Sequence, residues 1–198
     1  FAFIMWMLGA DALSLTPYLP PCFIISGSSR ESSSPRAHDA MTAQFIHDML
    51  EERGLKVTDC DAVCLSKGPG SYTGLRVGVS TAKGLCFGAG IPLIAVGTLD
   101  TLVWQAHDEG LLPSGCTAVV PMIDARRMEV YSAIYRSDGS RISEVEAVIL
   151  EQDTGLPRHL ERKLTEEAGA YPAVCGELER GDRRIEIDTV FVCVVHPD

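Results

Sequence analysis

The stretch KGPGSYTGLRVG, which runs from Lys67 to Gly78, decides how this chain folds. It joins a buried-strand pattern at 61–66 (DAVCLS) to a helical pattern that continues to about Gly88. Glycine is used where the backbone needs a positive φ or where another backbone comes close. Such a turn exposes backbone N–H groups at a helix N-terminus, which favours an anion or a polar partner. We therefore predict a strand–turn–helix unit with a functional turn; the alternative is a tight turn that only allows close packing.

Two phosphate-binding motifs do not fit this turn. A P-loop closes on Gly-Lys-Ser/Thr, which is absent, and the glycines do not keep the G-x-G-x-x-G spacing of a dinucleotide site. Ser71 and Thr73 carry hydroxyls at the head of the helix, but no base is positioned to activate them as nucleophiles. We predict instead that Thr73 is the helix N-cap.

Composition limits the classes of function. A chain of 198 residues forms one large domain or two small ones. Its net charge of -10 argues against a free-standing nucleic-acid binder, but not against a subunit of a complex in which another chain holds the nucleic acid. Seven cysteines without a C-x-x-C pair indicate a reducing cytosol and no zinc cluster. No apolar run reaches the roughly 18 residues that span a bilayer, and no basic residue precedes the apolar N-terminus, so we expect a cytoplasmic protein.

The first half reads as an α/β unit. A helix with Ser34 as N-cap and Pro35 as first residue should end at Gly54. The next helix, at 74–88, should be followed by a strand at 91–96 (IPLIAV), whose continuous apolar run predicts burial on both faces and parallel pairing with 61–66. Thr98 should begin a further helix to about His107. Before these elements, 22–26 fits one short strand and 26–34 a serine-rich linker.

The second half reads as an antiparallel meander over 118–150. Its strands are predicted at 118–124, 128–136 and 142–150, with a hairpin turn at Asp138-Gly139. A helix near 156–167 and a final strand at 189–195 follow. The predicted division is an atypical segment at 1–35, a first half at 36–110 and a second half at 111–198.

Three segments together are similar to a known family. The segment SKGPGSYTGLRVGVSTAKGLCFGAGIPLIAVGTLDTL at 66–102 resembles the signature region of TsaB (YeaZ) proteins. The helix RAHDAMTAQFIHDMLEE at 36–52 and the segment MIDARRMEVYSAIY at 122–135 lie where that family has similar segments. The resemblance covers about residues 36–150.

The resemblance implies a fold and a role. The fold would be the actin/Hsp70/sugar-kinase superfold, which is ribonuclease H-like and consists of two related α/β halves. The first half would be incomplete, because 1–35 does not match the expected β-meander, and the tail after about 153 is also unlike the family. The role would be a non-catalytic scaffold and activator subunit. It would act with a catalytic TsaD-type subunit and a TsaE-type ATPase, which together add threonylcarbamoyl to the adenosine beside the anticodon of tRNA. ATP and metal would bind to those partners, and this chain would hold no cofactor of its own. It would contact tRNA only through the complex. When alone, it would form a homodimer.

Two enzymes remain as alternatives: an ATP-dependent small-molecule kinase of the same superfold, and a metal-dependent peptidase of the glycoprotease type. His38 and His47 are nine residues apart, so they point to opposite faces of a helix and cannot share a metal. A kinase-type site of this superfold needs an Asp-x-Gly-type phosphate loop on the first strand, which the sequence does not show there, and Asp124 is better explained as a turn-capping residue.

Two groups of residues are candidates for the functional site. The glycine-rich motif comprises Gly68, Pro69, Gly70, Ser71, Tyr72, Thr73, Gly74, Leu75 and Arg76. A partner or dimer interface is predicted from an apolar stripe on the first helix and a small-residue stripe on the second, since small side chains let two backbones approach. Its residues are His38, Met41, Phe45, Met49, Gly74, Gly78, Val79, Ala82 and Leu85.

Overall fold

The computed structural model describes ten parts of the chain: residues 4–6, 23–25, 28–30, 37–108, 110, 112, 114–127, 129–149, 158–168 and 191–195. The chain forms two compact units, Phe1–Thr98 and Leu99–Asp198. The division therefore falls at the start of the third helix, whereas the sequence predicts it near residue 110. The reason is that Leu99 and Leu102 pack into a cluster of the second unit with Val119 and Tyr135.

The first unit contains a five-stranded sheet in the order β3-β2-β1-β4-β5. Strands β4 and β5 are parallel, with Val63 opposite Leu93, and the second helix connects them as predicted. The elements are β1 (Ile4–Trp6), β2 (Phe23–Ile25), β3 (Ser28–Arg30), α1 (Ala37–Glu52), a 3₁₀ turn (Val57–Asp59), β4 (Val63–Ser66), α2 (Tyr72–Ala89) and β5 (Leu93–Val96).

Helix α1 closes the core of this unit. Its buried residues Ile46, Met49 and Leu50 pack with strand β4 and helix α2. The helix ends as predicted, because Gly54 takes a φ of 64° and the N–H of Leu55 donates to the carbonyl of Leu50 at 2.9 Å. The predicted start at 34–35 lies outside the described residues.

Two expectations for the first unit are corrected, and the strand predicted at 22–26 is confirmed. Strand β5 is not covered on both faces, because Ile94 is 41% exposed. Among the described strands, β5 lies at the end of the sheet and pairs only with β4. Residues Ser28–Arg30, predicted as linker, pair antiparallel with β2. Strand β2 fits the predicted strand at 22–26, but it runs parallel to β1, so these two strands do not open a meander.

The second unit has the predicted antiparallel sheet, in the order β10-β6-β7-β9, with β8 paired to β6. The predicted strand at 128–136 is interrupted at Ala133 and Ile134, which are both buried in the core. The helix near 156–167 and the final strand are also present. The elements are α3 (Thr98–Asp108), β6 (Ala118–Arg126), β7 (Glu129–Ser132), β8 (Tyr135–Arg136), β9 (Glu146–Ile149), α4 (Arg158–Lys163), a π-helical turn (Leu164–Ala168) and β10 (Phe191–Val195).

Two aspartates of this unit cap turns. Asp124 Oδ1 accepts the N–H of Arg126 at 2.6 Å, which confirms its turn-capping role. Asp138 Oδ1 accepts the N–H of Ser140 at 2.8 Å in the predicted hairpin turn. Hydrogen bonds from the side chain and the backbone of Ser140 lower the pKa of the exposed Asp138 carboxyl.

Candidate partner-binding surface

The glycine-rich loop is fixed to the connection between β5 and α3. The N–H of Lys67 donates to the carbonyl of Val96 at 2.8 Å, and the N–H of Thr98 donates to the carbonyl of Gly68 at 3.0 Å. The side chains of Ser66 and Thr98 also share a hydrogen bond. These contacts hold the carboxyl ends of the two parallel strands together, so the loop sets where helix α2 begins.

The backbone conformation at position 68 requires glycine. Its φ is 103°, in the region that side chains disfavour, and an added Cβ would lie 3.1 Å from Leu75 Cδ1. The peptide bond between Gly68 and Pro69 is cis. Pro69 and Gly70 are half-buried. This part of the loop therefore serves the packing of the turn.

Helix α2 begins at Tyr72, two residues earlier than the helix predicted at 74–88. Its N-cap is Ser71, whose Oγ accepts the N–H of Gly74 at 3.4 Å. The prediction that Thr73 is the N-cap is therefore wrong. Thr73 already lies in the first turn, where its backbone is helical, and only the residue before the helix can cap it in this way. Ser71, Tyr72 and Thr73 are all exposed.

Helix α2 has a core face and a solvent face. On the core face, Gly78, Ala82 and Cys86 are buried, and the helix packs against α1 and β4. The small residues predicted to admit a second subunit thus allow close packing inside this chain. Helix α2 ends at Gly90 in the left-handed conformation, with a φ of 70°.

The predicted interface is revised accordingly. Met49 and Ala82 have no exposed surface and Gly78 is buried, so these three residues cannot offer surface to a partner. The remaining candidates keep only part of their surface: Gly74 is half-buried, and Phe45, Val79 and Leu85 pack partly buried against the core. His38 and Met41 lie in α1, but their side chains are outside the described part of the structure.

The solvent face of α2 carries exposed aromatic residues that do not belong to the predicted interface. Phe87 is 93% exposed and Tyr72 is 75% exposed. The guanidinium of Arg76 lies 5.3 Å from the ring centroid of Tyr72, within cation–π distance. Gly84 and Gly88 are open, since an added Cβ on either would have no neighbour within 4 Å. The sequence does contain a signal for this division: at 100° per residue, Tyr72 and Phe87 lie on a different side of the helix from the buried Ala82.

This face is also positively charged in an acidic protein. No Asp or Glu occurs between Asp61 and Asp100, whereas the whole chain has a net charge of -10. Lys67, Arg76 and Lys83 are exposed. Neither Arg76 nor Lys83 belongs to an ion pair within the described residues. The surface thus combines exposed cations with exposed aromatic rings.

Other titratable groups are placed for structural roles. Burial, together with Asp59 and Asp61, raises the pKa of the Cys60 thiol to about 11. His47 is exposed and lies 3.8 Å from Glu51 on the same helix. Across the described ranges, no three His, Cys, Asp or Glu side chains meet as metal ligands would. None of the described helices has both the length and the apolar character needed to cross a bilayer.

Comparison with known proteins identifies related sequences. The profile of the family described as "TsaD: tRNA N6-adenosine threonylcarbamoyltransferase" matches residues 31–166. The chain is 40% identical over 118 residues to the tRNA threonylcarbamoyladenosine biosynthesis protein TsaB of Escherichia coli, covering 58% of this chain and 49% of that protein. It is 34% identical over 109 residues to the TsaB of Bacillus subtilis, covering 54% and 44%. The chain thus spans about half the length of the curated relatives it matches.

Two solved structures have a similar fold. A Pseudomonas aeruginosa protein described as similar to peptidase YeaZ superposes with a TM-score of 0.54 at 29% identity, over 68% of this chain and 62% of that one. YeaZ from the same organism superposes with a TM-score of 0.56 at 24% identity, over 79% and 70%. The mixed α/β fold of this chain is therefore one that known proteins share.

Proposed function

Because this chain belongs to the TsaD family, in its TsaB (YeaZ) group, we propose that it works as a non-catalytic subunit in tRNA modification. The modification is the addition of threonylcarbamoyl to the adenosine beside the anticodon. The observation that carries this proposal is the 40% identity over 118 residues to a protein named for threonylcarbamoyladenosine biosynthesis.

The proposed partners are a TsaD-type catalytic subunit and a TsaE-type ATPase, in the cytoplasm. ATP and metal would bind to those subunits, and tRNA would be reached only in the complex. The arrangement of the glycine-rich loop supports a scaffold role, because its backbone hydrogen bonds position a helix and its two hydroxyls lie at an exposed helix start. The proposed architecture remains the duplicated superfold, supported by two units that each contain a sheet.

The proposed binding surface is the solvent face of α2, flanked by α1. This replaces the buried small-residue stripe as the contact for the catalytic subunit and for a second copy of the chain. The exposed Phe87 and Tyr72 supply apolar area that a subunit of a stable complex would bury. Large aromatic residues of this kind often dominate the energy of an interface.

Reconstitution tests the proposal. The chain, the TsaD-type subunit and the TsaE-type ATPase of the same organism are mixed with unmodified tRNA, ATP and the small-molecule substrates. Threonylcarbamoyladenosine is then measured by mass spectrometry of the digested tRNA. We expect product with all subunits present, none with this chain alone, and a large loss when this chain is omitted. Product formation that is independent of the folded chain would contradict the proposed function.

A further inference from the structure

The hairpin between β6 and β7 carries two arginines in a backbone conformation that arginine rarely adopts. Arg126 and Arg127 have φ values of 69° and 58°, in the left-handed region. There the Cβ of an L residue lies too close to the following carbonyl oxygen, so hairpin turns that need a positive φ usually contain Gly, Asn or Asp. The register of the two strands also shifts between Asp124 and Arg126, as at a β-bulge. The hairpin is therefore strained at two consecutive residues.

The surrounding hairpin holds the strained residues in place. Asp124 Oδ1 accepts the backbone N–H of Arg126 at 2.6 Å. The strands continue to pair beside the turn, with Asp124 opposite Val130 and Arg126 opposite Glu129. Smaller turn residues would form the same hairpin with less strain, so formation of the turn does not explain why arginine occupies both positions. Strain of this kind occurs most often at functional sites.

Both arginine side chains are available to a ligand. Arg126 and Arg127 are exposed, and neither belongs to an ion pair among the residues that the structure describes. Consecutive Cα atoms across a trans peptide are about 3.8 Å apart. A guanidinium is planar, always charged, and binds a phosphate or a carboxylate through two parallel N–H bonds. Two such groups on a constrained turn suit a ligand with closely spaced oxyanions.

A phosphate fits this hairpin better than an acidic protein surface does. Charged contacts between proteins normally surround an apolar centre that the interface buries. The described part of the hairpin, 124–127 and 129–132, includes no exposed large hydrophobic side chain. Contacts with a phosphate backbone need no apolar centre, because hydrogen bonds and charge supply them.

We propose that Arg126 and Arg127 contact the phosphate backbone of the tRNA while the complex holds it. The inference rests on the proposed function and adds an RNA contact made by this chain itself. Two cations are too few to bind RNA alone on a chain with a net charge of -10. The contact therefore forms only when other subunits bring the tRNA to the hairpin. It orients the RNA and does not read its sequence.

The test compares three double variants of the full chain, each reconstituted with the TsaD-type subunit and the TsaE-type ATPase. Arg126→Asn with Arg127→Gly removes both charges and supplies residues that tolerate a positive φ. Arg126→Gln with Arg127→Gln removes the charges and keeps the strain. The control, Lys56→Gln with Arg136→Gln, removes two charges at exposed positions elsewhere. Fluorescence anisotropy measures binding of labelled tRNA from about 50 to about 200 mM salt. Size-exclusion chromatography measures assembly of the subunits.

We expect both hairpin variants to weaken tRNA binding by about tenfold at about 100 mM salt. The slope of log affinity against log salt should become less steep by about 1–2, because fewer counterions are released. The control should weaken binding by less than about threefold and keep the wild-type slope.

Thermal melts separate the charge from the backbone strain. The Asn-Gly variant should melt about 2–4 °C above the wild type, because its turn is relaxed. The Gln-Gln variant should melt near the wild-type temperature. Weaker tRNA binding by the more stable variant would show that the arginines serve the RNA and not the fold. A lower melting temperature for the Asn-Gly variant would show that the turn is not strained and would overturn the inference.

The remaining outcomes separate this inference from the proposed function. If the wild-type complex forms threonylcarbamoyladenosine and neither hairpin variant changes the affinity or the salt slope, the inference is wrong while the proposed function stands. If the hairpin variants weaken subunit assembly and leave the salt slope unchanged, the hairpin binds an acidic protein surface and the inference is overturned. If the wild-type complex neither binds tRNA nor forms product, both are wrong.

Discussion

Tyr135 is a buried residue with a polar group in the second unit. It is 1% exposed, and its hydroxyl donates to Asp100 Oδ1 at 2.6 Å. Burial and the Asp100 carboxylate raise the pKa of the phenol, and Arg141 opposes that change. The hydrogen bond joins helix α3 to strand β8 within the second unit. Tyr135 therefore contributes both packing and a polar link to this unit.

Replacing Tyr135 with Phe should reveal this contribution. The phenol has a higher pKa in the folded state, so its effect is present below the unfolded pKa of about 10 and is lost as the pH rises above that value. At neutral pH, Tyr135→Phe should cost about 1–3 kcal/mol, because Asp100 loses its donor. Above about pH 10, the wild-type chain should lose stability more steeply than the variant. Urea unfolding at both pH values measures this, and parallel loss in the two proteins would contradict it.

The thiol of Cys60 should react slowly with alkylating reagents. With a pKa of about 11 and 4% exposure, it offers little thiolate near neutral pH. We expect iodoacetamide at about pH 8 to modify the half-buried Cys116 before Cys60. Peptide mapping by mass spectrometry gives the order, with urea-unfolded chain as the control in which both react. Rapid modification of Cys60 in the folded chain would mean that its site opens readily.

Helix α2 depends on how it starts. The Oγ of Ser71 satisfies one of the free N–H groups of the first turn. Ser71→Ala should therefore destabilise the first unit by about 1 kcal/mol. Thr73→Ala is the matched control, because it removes a hydroxyl two residues later without removing the cap, and it should have a smaller effect. Chemical denaturation compares them; a larger cost for Thr73→Ala would place the cap at the originally predicted residue.

The two faces of α2 should respond differently to the same large side chain. Ala82 has no exposed surface, so Ala82→Trp overfills the core and should cost at least about 1–3 kcal/mol. Phe87→Trp, on the solvent face, should leave the melting temperature nearly unchanged. Thermal melts followed by circular dichroism test the pair. Equal effects of the two substitutions would show that Ala82 is not in the core.

At the scale of single elements, sequence patterns predicted where helices and strands occur better than which of their faces are buried. Helical periodicity and Gly54 placed α1, and the apolar runs placed β4 and β5. The direction of each face depends on contacts between distant residues: Ala82 is buried because α1 packs beside it, whereas Ile94 is exposed although it lies in a continuous apolar run. A small residue suits a tight internal contact as well as an interface. Stripes of apolar and small residues therefore did not predict the exposed Phe87.

On the scale of the whole molecule, two units share one chain, and the segment that matches the curated relatives covers about half of their length. The strands at 118–150 could be predicted because β6, β7 and β9 pair with near neighbours in sequence. The boundary between the units could not, because α3 follows the first unit directly in the chain but packs with Val119 and Tyr135 of the second. Chain order alone does not say with which sheet a connecting helix packs.

The net charge of the whole chain leads to the last prediction. A protein that carries -10 meets a polyanion with repulsion at long range, and its three exposed cations near α2 are too few to release many counterions. Fluorescence anisotropy with labelled tRNA should therefore detect no binding by the chain alone at about 150 mM salt. Lowering salt to about 50 mM should not rescue binding, whereas it would strengthen the binding of a basic protein. The complete complex should bind, because other subunits then supply the contacts to tRNA. Submicromolar binding by the isolated chain, tightening as salt falls, would contradict this account and would make the chain itself the tRNA reader.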